Sequence, residues 1–149
     1  MASRGAHVIV VDPRGDAAGP FPSGVEVRTS DLADLAFLRA DTISATFADG
    51  TLAKVADLDR VFRQVHRVLV PEGPFVITLP HPAAVVLDEG RAYFDRSPRP
   101  DGSVPRTVTD LFTSLVRAGF RVDTLLEPEP DPPASLPRTL VVRGRKVGT

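Results

Sequence analysis

Residues 57–80, DLDRVFRQVHRVLVPEGPFVITLP, constrain the fold more than any other stretch of the chain. Asp57 can cap the start of a helix, and Pro71 and Gly73 can end it. Residues 74–79 are nearly all apolar, which is typical of a strand covered on both faces. A helix that leads into such a strand is half of a βαβ unit and predicts an α/β fold. The apolar positions with helical spacing are Leu58, Val61, Phe62, Val65, Val68 and Leu69.

The remaining elements continue the same alternation of strands and helices. Residues 107–120 predict a second amphipathic helix, which begins with a capping box of Thr107 and Asp110. We therefore expect a three-layer α/β sandwich with a mainly parallel sheet, and a single domain over residues 1–149. The predicted strands outside the first unit are residues 7–11, 25–28, 42–47, 120–126 and 138–143.

The composition argues against several classes of protein and of site. The formal net charge of −1 provides no electrostatic footprint for a nucleic acid. The absence of cysteine excludes disulfides and thiolate metal sites, and we assign no metal site. No apolar run approaches the roughly 20 residues of a membrane-spanning helix, and the first residues lack the pattern of a signal peptide. We therefore expect a cytoplasmic protein that binds neither membrane nor nucleic acid.

Asp12 follows the first predicted strand and is a candidate ribose ligand. A carboxylate at the carboxyl end of a buried parallel strand can accept hydrogen bonds from both ribose hydroxyls of a nucleotide. The alternative is that Asp12 only begins a turn with Pro13. The glycine-rich phosphate loop that normally accompanies a ribose site does not precede this strand. Gly15 and Gly24 come after it, in what we expect to be an irregular connection.

Two features that follow the apolar strand at 74–79 are candidates for contact with a substrate. His81 is a weak candidate for a general base, and the alternative is a loop histidine without a role. Residues 85–104 are the least regular segment and contain the aromatic pair Tyr93 and Phe94. That pair either covers an apolar substrate or anchors the loop by packing.

The order and spacing of these segments resemble the class I S-adenosylmethionine-dependent methyltransferases of the small-molecule type 11 group. Residues 57–80 resemble the helix, turn and fifth strand of that family, although its arginine-proline-glycine-glycine turn is VPEG here. The stretches TVTDLFTSLVRAGFRVDTLLEPEPD and LPRTLVVRGRK resemble its C-terminal helix and final hairpin. The resemblance implies a Rossmann-like sheet whose last strand is antiparallel.

The resemblance also implies S-adenosylmethionine as the cofactor and a small molecule as the methyl acceptor. Asp12 would hold the ribose, and Asp31 would accept a hydrogen bond from the adenine amino group. The backbone amide of Leu32 would face a nitrogen of the adenine ring. An alternative role for Asp31 is to cap a helical turn together with Asp34.

The first strand, the glycine-rich loop and the first helix of the family are missing from residues 1–149, so the resemblance implies a truncated domain. We expect weak or absent cofactor binding by this chain alone, and it remains open whether the chain is inactive alone. Without the first strand, residues 7–11 and 42–47 are expected to pair directly, and the incomplete sheet is expected to self-associate.

Two other functions remain open from the sequence. The chain can be a fragment of a nucleotide-binding oxidoreductase, because Asp12 would serve the ribose of NAD equally well. It can also be a non-catalytic methyltransferase-like remnant or a partner subunit, which the missing glycine loop supports.

Overall fold

The structure is a computed structural model that describes residues 2–17 and 20–148. The chain divides into two compact units, residues 1–38 and residues 39–149. The first unit contains a two-stranded parallel sheet, in which β1 (Val8–Asp12) pairs with β2 (Val25–Thr29). The described residues between these strands form neither helix nor strand, as the sequence predicts. A single 3-10 turn, Ala2–Arg4, precedes β1.

The second unit contains a four-stranded sheet with the order β3-β4-β6-β5. The strands β3 and β4 are parallel, and β6 is antiparallel to both β4 and β5. The last strand is therefore antiparallel, as expected, and the carboxyl ends of β3, β4 and β5 lie at one edge of the sheet. The strands are β3 (Thr46–Asp49), β4 (Pro74–Pro80), β5 (Phe120–Leu126) and β6 (Thr139–Lys146). The helices are α1 (Leu58–Val68), α2 (Pro82–Asp88) and α3 (Val108–Arg117), with a 3-10 helix at Thr51–Lys54.

Both helices predicted from apolar spacing begin at the expected caps. The Oδ1 atom of Asp57 accepts a hydrogen bond from the backbone N–H of Arg60 at 2.9 Å. Thr107 and Asp110 form the complete capping box of α3. Each cap satisfies backbone donors that have no partner within the helix, which stabilises the first turn by about 1 kcal/mol.

The core of the second unit joins the sheet to α1 and α3. The ring of Phe62 on α1 meets the ring of Phe75 on β4 edge-on, with centroids 5.4 Å apart. Phe75 also contacts Phe120 on β5, at 5.6 Å. Leu111 and Leu115 of α3 are buried in the same unit. Burial of each such side chain contributes about 1.5–3 kcal/mol relative to exposure, so the packing of α1 and α3 fixes the sheet's geometry.

The predicted fold class is confirmed, and three local predictions are corrected. The direct pairing of residues 7–11 with residues 42–47 is wrong, because β1 and β3 belong to separate sheets. Each pairs instead with the next strand along the chain, which closes a shorter loop. Residues 82–88 form a helix, and its last four residues belong to the segment 85–104 that was expected to be irregular. His66 lies on the polar face of α1, which predicts a solvated side chain, but it is half-buried because its ring packs edge-on against Phe120 at 5.3 Å.

None of the helices in the described part of the chain has the length and apolar character that crossing a bilayer requires.

Candidate functional site

Asp12 is the last residue of β1, at the carboxyl edge of the first unit's sheet. Its Oδ1 atom accepts a hydrogen bond from the N–H of Arg14 at 3.0 Å, and its Oδ2 atom accepts one from Ala17 at 2.5 Å. These backbone donors, Arg14 first, hold the pKa of the carboxyl below its usual value, so Asp12 is ionised at neutral pH. Asp12 therefore does begin a turn. Each oxygen has a second lone pair, so the turn does not exhaust its capacity to accept.

Asp31 lies two residues beyond β2, in a turn that does not become a helix. Its Oδ1 atom accepts a hydrogen bond from the N–H of Ala33 at 2.8 Å. The carboxylate of Asp34 accepts from Ala36 at 3.1 Å, so the predicted pairing of Asp31 with Asp34 around a helix start is wrong. Among residues 2–17 and 20–148, the backbone N–H of Leu32 has no hydrogen-bond partner.

The register of the first sheet brings Asp12 and Asp31 to the same edge. Asp12 lies opposite Thr29 in the parallel pair, and Asp31 follows two residues later. Two carboxylates and a backbone amide without a partner among the described residues therefore lie near one edge of this sheet, where open α/β folds bind ligands. The described part of this unit offers no α-helix N-terminus for an anionic group.

His81 lies at the carboxyl end of β4 in the second unit and caps α2. The residue is only 5% exposed. Its Nδ1 atom accepts a hydrogen bond from the N–H of Ala83 at 3.2 Å, and its Nε2 atom lies 2.8 Å from Oε1 of Glu127. Because Nδ1 accepts, Nε2 carries the proton and donates it to Glu127. The imidazole is thus held in one tautomer and one orientation.

Both ring nitrogens of His81 are engaged, so the pair of His81 and Glu127 is the unit available for proton chemistry. Sequence reasoning did not identify Glu127 as the partner, because the two residues are 46 positions apart. The sequence did contain a signal that could have indicated this contact. Both residues directly follow strands whose carboxyl ends meet at one edge when β4 and β5 are parallel to each other.

Tyr93 anchors the segment between α2 and α3, and Phe94 does not. The phenol oxygen of Tyr93 accepts a hydrogen bond from the N–H of Val108 at 3.1 Å, at the start of α3. The two aromatic rings meet edge-on with centroids 5.1 Å apart, but Phe94 is 75% exposed. The anchoring role is therefore seen for Tyr93, while the exposed ring of Phe94 remains available for contact with another molecule.

Comparison with known proteins identifies the family. The family model of the methyltransferase domain, type 11, matches residues 1–77, just over half of the chain. No curated protein has a matching sequence. Among solved structures, an S-adenosylmethionine-dependent methyltransferase from Mesorhizobium loti is 26% identical with a TM-score of 0.73, and the match covers 94% of this chain and 80% of that one.

Two further structures extend the similarity across nearly the whole chain. A protein from Listeria monocytogenes assigned to the same enzyme class has 20% identity and a TM-score of 0.73, and the match covers 99% of this chain and 84% of that one. The geranyl diphosphate C-methyltransferase of Streptomyces coelicolor, solved with S-adenosylhomocysteine, has 13% identity and a TM-score of 0.67, with 99% and 67% covered. The chain belongs to the class I S-adenosylmethionine-dependent methyltransferases, in the type 11 methyltransferase-domain family, and its cofactor is S-adenosylmethionine.

Proposed function

We propose that the chain takes part in methyl transfer to a small-molecule acceptor and that its first unit holds the adenosine half of the cofactor. Asp12 would accept from the ribose hydroxyls, Asp31 from the adenine amino group, and the N–H of Leu32 would donate to a ring nitrogen. The observation that carries this proposal is the placement of Asp12 and Asp31 at one sheet edge, beside an amide without an internal partner.

The cofactor, when bound, supplies an activated methyl group on a sulfonium. The residues of this chain would bind and orient, which is the main contribution that a transfer of this kind needs from a protein. The lowered pKa of Asp12 keeps it charged and able only to accept, as a ribose diol requires.

The two compact units are proposed to act as one domain. The family match over residues 1–77 includes all of the first unit and the first part of the second, which supports this organisation. A cytoplasmic location and a small-molecule acceptor are part of the same proposal. They follow from the sequence and from the resemblance to the small-molecule group.

Affinity of this chain for the cofactor is proposed to be weak. Three contacts to adenosine, each worth about 1 kcal/mol net, sum to about 3 kcal/mol. A dissociation constant of about 1 mM corresponds to about 4 kcal/mol. The expected affinity is therefore in the millimolar range or weaker, and the oxidoreductase alternative differs in predicting binding of NAD instead.

An amide NMR titration of the chain with S-adenosylhomocysteine tests both the site and the affinity. The amide signal of Leu32 should shift with a weak, saturable curve, and Asp31→Asn should weaken that curve at least threefold. Asp34→Asn is the matched control, because Asp34 makes the same type of turn bond to a backbone N–H but has no proposed ligand. Asp12→Ala should also weaken binding.

Three outcomes would contradict the proposal. A Leu32 signal that does not move, or equal losses from the Asp31 and Asp34 variants, would remove the proposed adenine site. A micromolar dissociation constant would refute the weak affinity while leaving the site intact. NAD, which also has an adenosine half, should bind no more tightly than S-adenosylhomocysteine, and tighter binding of NAD would favour the oxidoreductase alternative.

We also propose self-association. Within the described residues, β1 and β3 each have a hydrogen-bonded neighbour on one side only, so each presents an open edge. Open edges carry unpaired backbone donors and acceptors that another chain can satisfy.

A further inference from the structure

We propose that Glu127, held by His81, is the carboxylate that receives the methyl acceptor, and that this acceptor is a small molecule with an amino group. This inference rests on the proposed methyl transfer. It concerns the second unit alone, whereas the proposed cofactor contacts are in the first.

The first argument is the geometry of the carboxylate. One oxygen of Glu127 is fixed by Nε2 of His81 at 2.8 Å, and His81 is itself fixed by the N–H of Ala83. Within the described part of the chain, the second oxygen of Glu127 has no hydrogen-bond partner, and the side chain is 51% exposed. A carboxylate with one oxygen held and one facing solvent is prepared to accept a further hydrogen bond, at little entropic cost.

The second argument is location. Glu127 directly follows β5, and His81 directly follows β4, at the edge of the sheet where open α/β folds bind ligands. The backbone N–H of His81 also donates to the carbonyl of Arg138 at 2.9 Å, at the start of β6. Three strands therefore fix the position of this pair. Because both residues are anchored directly at strand ends, the pair has little freedom to move.

The third argument is the local charge. Glu129 and Asp131 follow Glu127 in a proline-rich segment, and neither forms an ion pair with any described residue. The guanidinium of Arg138 is occupied by Asp88 at 2.5 Å. Glu127 thus begins an acidic segment, and its own free carboxylate oxygen favours a cationic or hydrogen-bond-donating ligand over an anionic one.

The corresponding reaction step is simple. The acceptor binds as an ammonium ion, which first loses a proton to the free oxygen of Glu127, and from there the proton passes to solvent. The neutral amine nitrogen would then bond the methyl carbon as the bond between that carbon and sulfur breaks, with the electron pair staying on sulfur. His81 does not contact the acceptor, and its role is to position the carboxylate.

The test uses ethanolamine as the probe and the imidazole nitrogen signals of His81 as the readout. The full chain, labelled with ¹⁵N at histidine, is titrated at constant pH and ionic strength. We expect a saturable shift of the Nε2 signal in the wild-type protein and in Glu129→Gln. In Glu127→Gln the shift should be reduced at least fivefold. Glu129 is the matched control because it is an exposed glutamate of the same segment without a histidine partner.

A second variant distinguishes positioning from a purely structural role. Asn is a good helix N-cap, so His81→Asn should retain α2 but release Glu127. Ethanolamine affinity, measured from the Glu127 amide signal, should then fall by about threefold, with an unchanged circular dichroism spectrum. Equal probe binding in wild type and Glu127→Gln, or equal losses in the Glu127 and Glu129 variants, would overturn the proposal. If Glu127→Gln does not fold, the same comparison is made with Glu127→Ala, which also removes the carboxylate.

Failure of the proposed acceptor site can be distinguished from failure of the proposed cofactor site. Glu127→Gln should leave the Leu32 response to S-adenosylhomocysteine unchanged, since the two residues belong to different units. Loss of the Leu32 response with retained ethanolamine binding would sink the cofactor site and leave the acceptor site. Loss of ethanolamine binding with a retained Leu32 response would refute the acceptor site and leave the cofactor site.

Discussion

The buried ammonium of Lys146 should make the protein more sensitive to loss of its acidic partner than to loss of the lysine itself. The Nζ atom lies 2.5 Å from Oδ1 of Asp41 and 2.9 Å from the carbonyl oxygen of Leu69. The lysine side chain is 5% exposed, whereas that of Asp41 is 48% exposed. Removal of one partner leaves an uncompensated buried charge, but removal of the buried charge itself does not.

The magnitudes follow from this asymmetry. Asp41→Asn removes the negative charge and keeps a residue type that tolerates the positive φ of 57° at this position. Loss of one partner of a fully buried pair costs about 3–5 kcal/mol, and the half-exposed end here lets water reach the ammonium, so we expect about 2 kcal/mol. Lys146→Met removes the charge and one hydrogen bond to Leu69, which should cost about 1 kcal/mol.

Urea unfolding at 25 °C, followed by circular dichroism, measures these free energies, provided the variants share one m-value. The double variant Asp41→Asn with Lys146→Met should be more stable than Asp41→Asn alone, because the unpaired charge is then gone. The reasoning is refuted if Asp41→Asn costs no more than Lys146→Met. It is also refuted if the double variant loses the sum of the two single effects.

Three shorter predictions concern other parts of the chain. The hydrogen bond from the guanidinium of Arg143 is the main cause that lowers the pKa of Asp123 to about 2. The ionised Asp123 therefore contributes its full stabilisation above pH 4, and this contribution is lost as the pH falls towards 2. Asp123→Asn should flatten the acid limb of a pH series of melting temperatures, and an unchanged slope would exclude this contribution. Thr107→Ala should cost about 1 kcal/mol in urea unfolding, and Thr109→Ala, in the same turn without a capping bond, close to none; equal effects would contradict the capping role. Light scattering after gel filtration should show a mass that rises with protein concentration, and a heat-resistant monomer at every concentration would be the opposite result.

Elements with complete local signals could be predicted from the sequence. The two long helices carry an apolar stripe and a cap within a few residues of each other, and both begin where expected. The strand β5 also has its predicted bounds, because Gly119 ends the preceding helix and an acidic proline-rich segment ends the strand. In these cases the information lies within the element itself.

Features that depend on distant contacts could not be predicted in the same way. The helix α2 has Pro82 at its first position, a known helix-start signal, but its cap is a histidine, which is not a preferred capping residue. The contact of His81 with Glu127 depends on which strands share an edge. His66 appeared solvated on its own helix, and only the approach of β5 buries half of it. Tertiary packing determines each of these three features, and a short stretch of sequence does not reveal which distant residues will pack against it.

Residues 89–107, between α2 and α3, form neither helix nor strand, yet several ion pairs and hydrogen bonds hold them in place. Arg99 forms an ion pair with Glu89, and Arg96 forms one with Asp110. Arg106 donates a hydrogen bond to the backbone carbonyl of Leu52. Ion pairs of this kind weaken as counterions accumulate, but a hydrocarbon core does not. A high ionic strength should therefore detach residues 89–107 from the rest of the second unit. Added salt should expose residues 89–107 to proteases and to hydrogen exchange while the four-stranded sheet stays folded.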